Sequence, residues 1–157
     1  MEDAFADVLD VLTVVCAGVL AGIVVSEHVI ILPLVRAAAP GVGVAGLRFA
    51  GARAWRLAPA CGLTAGLSAT ALLAVWPWDG LSAAAVLTAA GLALFVSAVL
   101  VTFVWYYPVD SRVRSLSHEA AVVEAASSFE TLARHHLIRA SFYAAAFVCF
   151  VLGAVLG

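Results

Sequence analysis

Apolar residues run along this chain in four long blocks, and polar residues gather in the segments between them. The blocks cover about Val11 to Val35, Leu57 to Trp76, Leu81 to Tyr106 and Leu137 to Gly157. Each has about the 20 residues a helix needs to cross hydrocarbon. The pattern predicts an all-α fold, a four-transmembrane-helix antiparallel bundle. Its first intervening segment, Arg36 to Arg56, reads as a Pro- and Gly-rich turn, AAAPGVGVAG, followed by LRFAGARAWR. The latter suits a short interfacial helix with Trp55 at headgroup level. WPWDG reads as a tight turn with Trp76 and Trp78 in an interfacial belt. Between Asp110 and Arg134, Ala121, Val122, Ala125, Phe129 and Leu132 recur at helical spacing, predicting an additional polar surface helix between spans 3 and 4.

Composition agrees. The 157 residues are 65% hydrophobic and 11% charged, with a mean hydropathy of +1.12, whereas soluble domains are about a quarter charged. The length suits a single membrane domain. A net charge of -2 carries no nucleic-acid footprint. MEDAFADVLD has acids and no base, unlike a signal peptide, so the first block reads as a retained span. Cys16, Cys61 and Cys149 lack metal-site spacing and read as buried apolar residues; topology permits a Cys16–Cys149 disulfide without supporting it.

Arginine distribution sets an expected orientation. All eight basic residues are arginine, and all lie in or beside the first-to-second and third-to-fourth connections. The positive-inside rule places these connections in the cytoplasm and both termini outside, in the plasma (inner) membrane. Gly18/Gly22 and Gly62/Gly66 form small-residue rows suited to close packing, within the bundle or in a homo-oligomer.

The chemistry collects at the arginine-bearing ends. Glu27 and His28 precede Val35 by seven or eight residues, about 11 Å below the helix end. A carboxylate at that depth needs a partner, and Arg139 is the leading one. His136 and Arg139 are three apart and share a helix face, while His135 points about 100° away. One interpretation is a purely structural network, Glu27–Arg139 and Asp110–Arg112. Another is proton chemistry, with a carboxylate fixing a histidine tautomer. A third is metal binding by His28, His136, Glu27 and Asp110, a set suited to a copper or iron ion, or haem held by His28 and His136. Trp105, Tyr106 and Tyr107 are candidate substrate-binding residues or interfacial anchors. His118 reads as solvated, and Arg112, Arg114 and Arg134 as anchors for anionic lipid.

Three segments carry a family resemblance. GVLAGIVVSEHVIILP, FVWYYPVDSRV and FETLARHHLIRASF resemble motifs of the DUF1772, or anthrone-oxygenase-like, small integral-membrane proteins. Tyr106 and Asp110 stand where that group often has asparagine, and Phe129 where it often has tryptophan. The resemblance assigns function to His28, Pro108, Asp110, His136 and Arg139. It implies an oxygenase acting on a lipophilic aromatic substrate with molecular oxygen. His136 or Asp110 would remove a benzylic proton, and Arg139 would stabilise the enolate. The alternatives are a metal- or haem-binding redox protein and a non-enzymatic membrane subunit or scaffold. The scaffold would lack a cavity beside His28 and His136.

Overall fold

The computed structural model describes residues 2–76, 82–115 and 118–157. The described residues are helical almost throughout. α1 (Glu2–Ser26), a π turn (Glu27–Ile31) and α2 (Leu32–Ala37) form one rod. α3 spans Pro40–Val75. α4 (Ala83–Val101), a second π turn (Thr102–Tyr106) and α5 (Tyr107–Ser115) form another rod, and α6 runs from His118 to Leu156. Among the described residues, four segments are long and apolar enough to cross a membrane: Ala4–Ala37, Leu57–Val75, Ala83–Ser115 and Ser127–Leu156. The chain is an integral membrane protein with an all-α bundle.

The turn expected over AAAPGVGVAG is confined to Ala38 and Ala39. Both have extended backbones, as proline demands of the residue before it, and Pro40 then opens α3 at a position that needs no N–H donor. The glycines that follow are helical because packing outweighs their weak propensity. Val44 and Leu47 are buried. Gly43 lies so near α2 that a Cβ there would meet the Val35 carbonyl at 2.7 Å. The expected interfacial helix is therefore the start of α3, and Pro59 falls inside α3 rather than in a first turn. The polar helix expected between spans 3 and 4 is present, joined without a break to the fourth span. WPWDG beyond Trp76, and the side chains of Arg48, Arg53, Trp55, Arg56, His118, Ala121, Val122 and Ala125, lie outside the described residues.

α4 starts with a cap in which Ser82 Oγ accepts from the Ala85 N–H at 3.1 Å. Within the spans, hydroxyls return to the carbonyl four residues back, as Thr13 does to Leu9 at 2.8 Å and Thr102 to Ala98 at 2.7 Å. Such bonds satisfy polar groups where water is absent.

Around the bundle the order is α1, α3, α4, α6. α4 packs most extensively on α6, and α1 packs on α3 and α6, whereas α3 and α4 touch little. Gly91 and Gly153 seat the α4–α6 contact: added Cβ atoms would meet Phe150 at 2.8 Å and Thr88 Oγ1 at 2.7 Å. Gly18 meets Phe147 at 2.9 Å, but nothing lies within 4 Å of a Cβ at Gly22. Cys16, Cys61 and Cys149 are free thiols, so no Cys16–Cys149 disulfide forms.

Two apolar cores result. One, around Leu20, Val24, Ala65, Phe95, Ala98 and Phe150, fills the middle of the spans. The other, around Val35, Leu47, Val113, Phe129 and Leu132, caps the arginine-bearing end. The 39 residues of α6 make a rod about 58 Å long, far beyond the ~30 Å of hydrocarbon. The cap is thus built from helix extensions, and the polar cluster lies at the seam between the cores.

Candidate functional site

Both π turns stand at that seam, and both end two residues before a proline, Pro33 and Pro108. Proline supplies no N–H and its ring collides with the carbonyl four residues back. A π turn widens the helix where that collision would fall. In each, the next residue's N–H reaches five back, from Leu32 to Glu27 and from Tyr107 to Thr102. Pro59 has no such turn around it, so proline alone does not create one. The first π turn begins with Glu27 and the second ends with Tyr106.

Three atoms form a tight triangle. His136 Nε2 lies 3.1 Å from Glu27 Oε2, Arg139 Nη2 lies 2.9 Å from Glu27 Oε2, and Arg139 Nη2 lies 2.9 Å from His136 Nε2. A ring nitrogen donates or accepts, never both at once. Nε2 therefore either donates a hydrogen bond to Glu27 or accepts one from Arg139, so the triangle admits two hydrogen-bond arrangements. His136 and Arg139 are buried. Tyr106 holds both: its ring meets His136 edge-on at 5.3 Å between centroids, and Arg139 Cζ lies 3.9 Å above its face. The His28 ring rests against His136 at 5.7 Å. Among the described residues, His28 Nδ1, His136 Nδ1 and Arg139 Nε are buried without a hydrogen bond.

Asp110 makes a separate pair. Its Oδ2 accepts from Arg114 Nε at 2.7 Å, one helical turn on. The partner is Arg114 and not Arg112, because a spacing of four faces along a helix and a spacing of two does not. Asp110 is 1% exposed, and its Oδ1 has no hydrogen bond among the described residues. Arg114 also donates to the Leu47 carbonyl, tying α5 to α3. Arg114 is thereby a bridge inside the protein and not a lipid anchor.

A cavity of about 570 Å³ lies between the helices and ends at this cluster. Its walls come mainly from α1, α3 and α4, with Gly62, Gly66 and Phe95 among them, and its polar end carries Glu27, Tyr106, Arg114, Arg139, Thr102 and Tyr143. Asp110, His28 and His136 do not line it; His136 stands behind Glu27. Of the three aromatic residues expected to bind substrate, only Tyr106 faces inward. Trp105 and Tyr107 are exposed, since helical rotation turns them to either side of Tyr106. His135 is also apart from the triangle: its Nδ1 lies 3.2 Å from the Trp105 carbonyl and its ring 6.1 Å from the indole.

The candidate metal set does not assemble. No group of three or more His, Cys, Asp or Glu side chains suited to a metal ion occurs among the described residues. The Arg139 guanidinium occupies the position between Glu27 Oε2 and His136 Nε2 where a cation would sit, and Asp110 is turned to Arg114. The His28 and His136 rings lie 5.7 Å apart between centroids, and His136 Nε2 is already engaged with Glu27 and Arg139. The residues best placed for chemistry are thus Glu27, Arg139 and Tyr106 at the cavity end, backed by His136. For Glu27 the signal in the sequence was its depth in the span. Arg114 and Tyr143 gave no signal beyond residue type. Comparison with family models, curated proteins and solved structures returns no match.

Proposed function

We propose that the chain is a membrane-embedded oxygenase that oxidises a lipophilic, anthrone-like aromatic substrate with molecular oxygen. The observation that carries this reading is Glu27: an ionisable group at the polar end of an apolar cavity, in contact with both a histidine and an arginine. The resemblance to the anthrone-oxygenase-like group supports the same chemistry. The arginine distribution supports a site at the cytoplasmic end of the bundle in the plasma membrane.

An anthrone carries a methylene flanked by two aryl rings and conjugated to a ring ketone, so its C–H proton is acidic. In this mechanism Glu27 removes that proton and passes it to His136 Nε2 behind it. The resulting enolate oxygen is met by a guanidinium, Arg139 or Arg114, both of which line the cavity. Fixed donors aimed at developing charge are strongest in a water-poor site. The carbanion gives its electrons to oxygen and forms a hydroperoxide, which loses water to leave a ketone. In sum, the methylene and one dioxygen become a ketone and one water, and no outside reductant is needed.

The test is oxygen uptake by the purified chain in lipid nanodiscs supplied with anthrone. One oxygen consumed per anthrone converted is expected. Conversion no faster than in empty nanodiscs contradicts the reading.

A further inference from the structure

We infer that the cavity is filled sideways from the bilayer, through a slot between α3 and α4 held open by Gly62 and Gly66, by an uncharged, lipid-soluble aryl ketone or phenol. The choice of occupant rests on the oxygenase reading; the slot does not.

The slot follows from residues that are both cavity wall and outer surface. Leu63 and Leu67 on α3, with Leu100 and Phe103 on the facing rod, line the cavity yet are 67%, 69%, 58% and 60% exposed. A wall residue open to the outside marks a mouth. All four lie within the candidate spans, so the mouth faces hydrocarbon. At the arginine-bearing end the cavity is closed by the second core, where Leu47, Val113 and Leu132 are buried.

Within the bundle, Gly62 and Gly66 are not close-packed against a neighbouring helix. A Cβ at Gly66 would lie 3.5 Å from Phe95, and one at Gly62 would lie 3.7 Å from Leu20, ordinary contact distances. At packing glycines such as Gly91 the distance falls to 2.8 Å. The missing side chains leave width in the cavity instead of drawing helices together.

The polar end selects the occupant's chemistry. Glu27 is paired with Arg139 and Asp110 with Arg114, so the charges cancel in pairs. A charged headgroup would disturb one pair at the cost of desolvation. An alkyl chain would offer no hydrogen bond to the polar groups at the cavity end, Tyr106, Arg139 and Glu27 among them. A neutral molecule bearing one ring oxygen meets both conditions.

Benzophenone tests this, being a neutral aryl ketone that inserts into nearby C–H bonds on irradiation. The purified chain in phosphatidylcholine nanodiscs is irradiated with it and the labelled residues are mapped. Labelling of Leu20 and Val24, which are buried cavity-wall residues, is expected alongside lipid-facing Val155. Gly66→Leu and, separately, Leu67→Trp at the exposed rim should each lower interior labelling relative to Val155 by roughly tenfold or more, as filling an apolar pocket does. Gly22→Leu, at an open position outside the cavity, should change nothing. Excess anthrone should suppress interior labelling only. Interior residues that stay unlabelled, as when an acyl chain fills the cavity, overturn the proposal. So does labelling that survives both blocking substitutions, and failure of anthrone to compete overturns the ligand class. Interior labelling lost on blocking, without any anthrone oxidation, leaves the slot standing and removes the oxygenase reading. Oxidation that ignores both blocking substitutions does the reverse.

Discussion

Glu27 meets Arg139 across 112 positions of sequence, whereas Asp110 meets Arg114 one helical turn away. The first pair joins two rods, includes a histidine and faces a cavity. The second lies within one helix, and its carboxylate is sealed behind its arginine. Both are charges at one end of the same bundle, and residue type alone ranks them equally. What separates them is what each carboxylate faces. Glu27 has an apolar space in front and a histidine behind. Asp110 has a guanidinium in front and, among the described residues, no second partner behind, which suits holding Arg114 in place.

Several substitutions sharpen this contrast. The largest effect is expected from deleting Ile30, an exposed residue of the first π turn. Removing one residue restores α-helical register and rotates Glu27 by about 100° against the cap. Anthrone oxidation should fall by about 100-fold or more, with helix content by circular dichroism unchanged. Activity retained in the deletion would mean that the π turn does not position Glu27.

Arg139→Ala comes next. It strips the guanidinium from a carboxylate whose side chain is only 20% exposed, leaving it His136 alone, and losing one member of a buried pair costs about 3 kcal/mol. A midpoint shift in denaturant unfolding of the micellar protein measures it. A shift no larger than that of a surface substitution would show the pair to be solvated. Asp110→Asn should cost about 1 kcal/mol by the same measurement, because the amide oxygen still accepts from Arg114. A loss matching that of Arg139→Ala would erase the distinction between the pairs. The smallest effect is expected at Trp105→Ala, an exposed position away from the cavity, with stability within about 0.5 kcal/mol of the unsubstituted chain. A larger change would give the Trp105–His135 contact a weight the geometry does not assign it.

Much of this was legible in the residues. Hydropathy marked four spans, because twenty apolar residues in a row have few soluble explanations. The depth of Glu27 required a cation, and antiparallel topology offered Arg139. His135 and His136 were separable by helical rotation alone. The helical character of AAAPGVGVAG was hidden, since Gly43 lies close against Val35 and Phe129, an approach that only the folded chain supplies. The π turns were hidden as well, although EHVIILP and TFVWYYP place proline at the same offset from their first residue. Without them, Trp105, Tyr106 and Tyr107 look equivalent. The cavity left only an ambiguous trace, because Gly62 and Gly66 read equally well as packing glycines.

The central claim is that Glu27, and not Asp110, is the base of a buried reaction. Anthrone oxidation by Glu27→Gln and Asp110→Asn proteins, in the same nanodiscs and at equal amounts of folded protein, tests it most directly. Glu27→Gln should lose about 100-fold or more, the scale of a removed general base, while Asp110→Asn should stay within about tenfold of the unsubstituted rate. Equal rates in the two variants, or a greater loss in Asp110→Asn, would contradict the account.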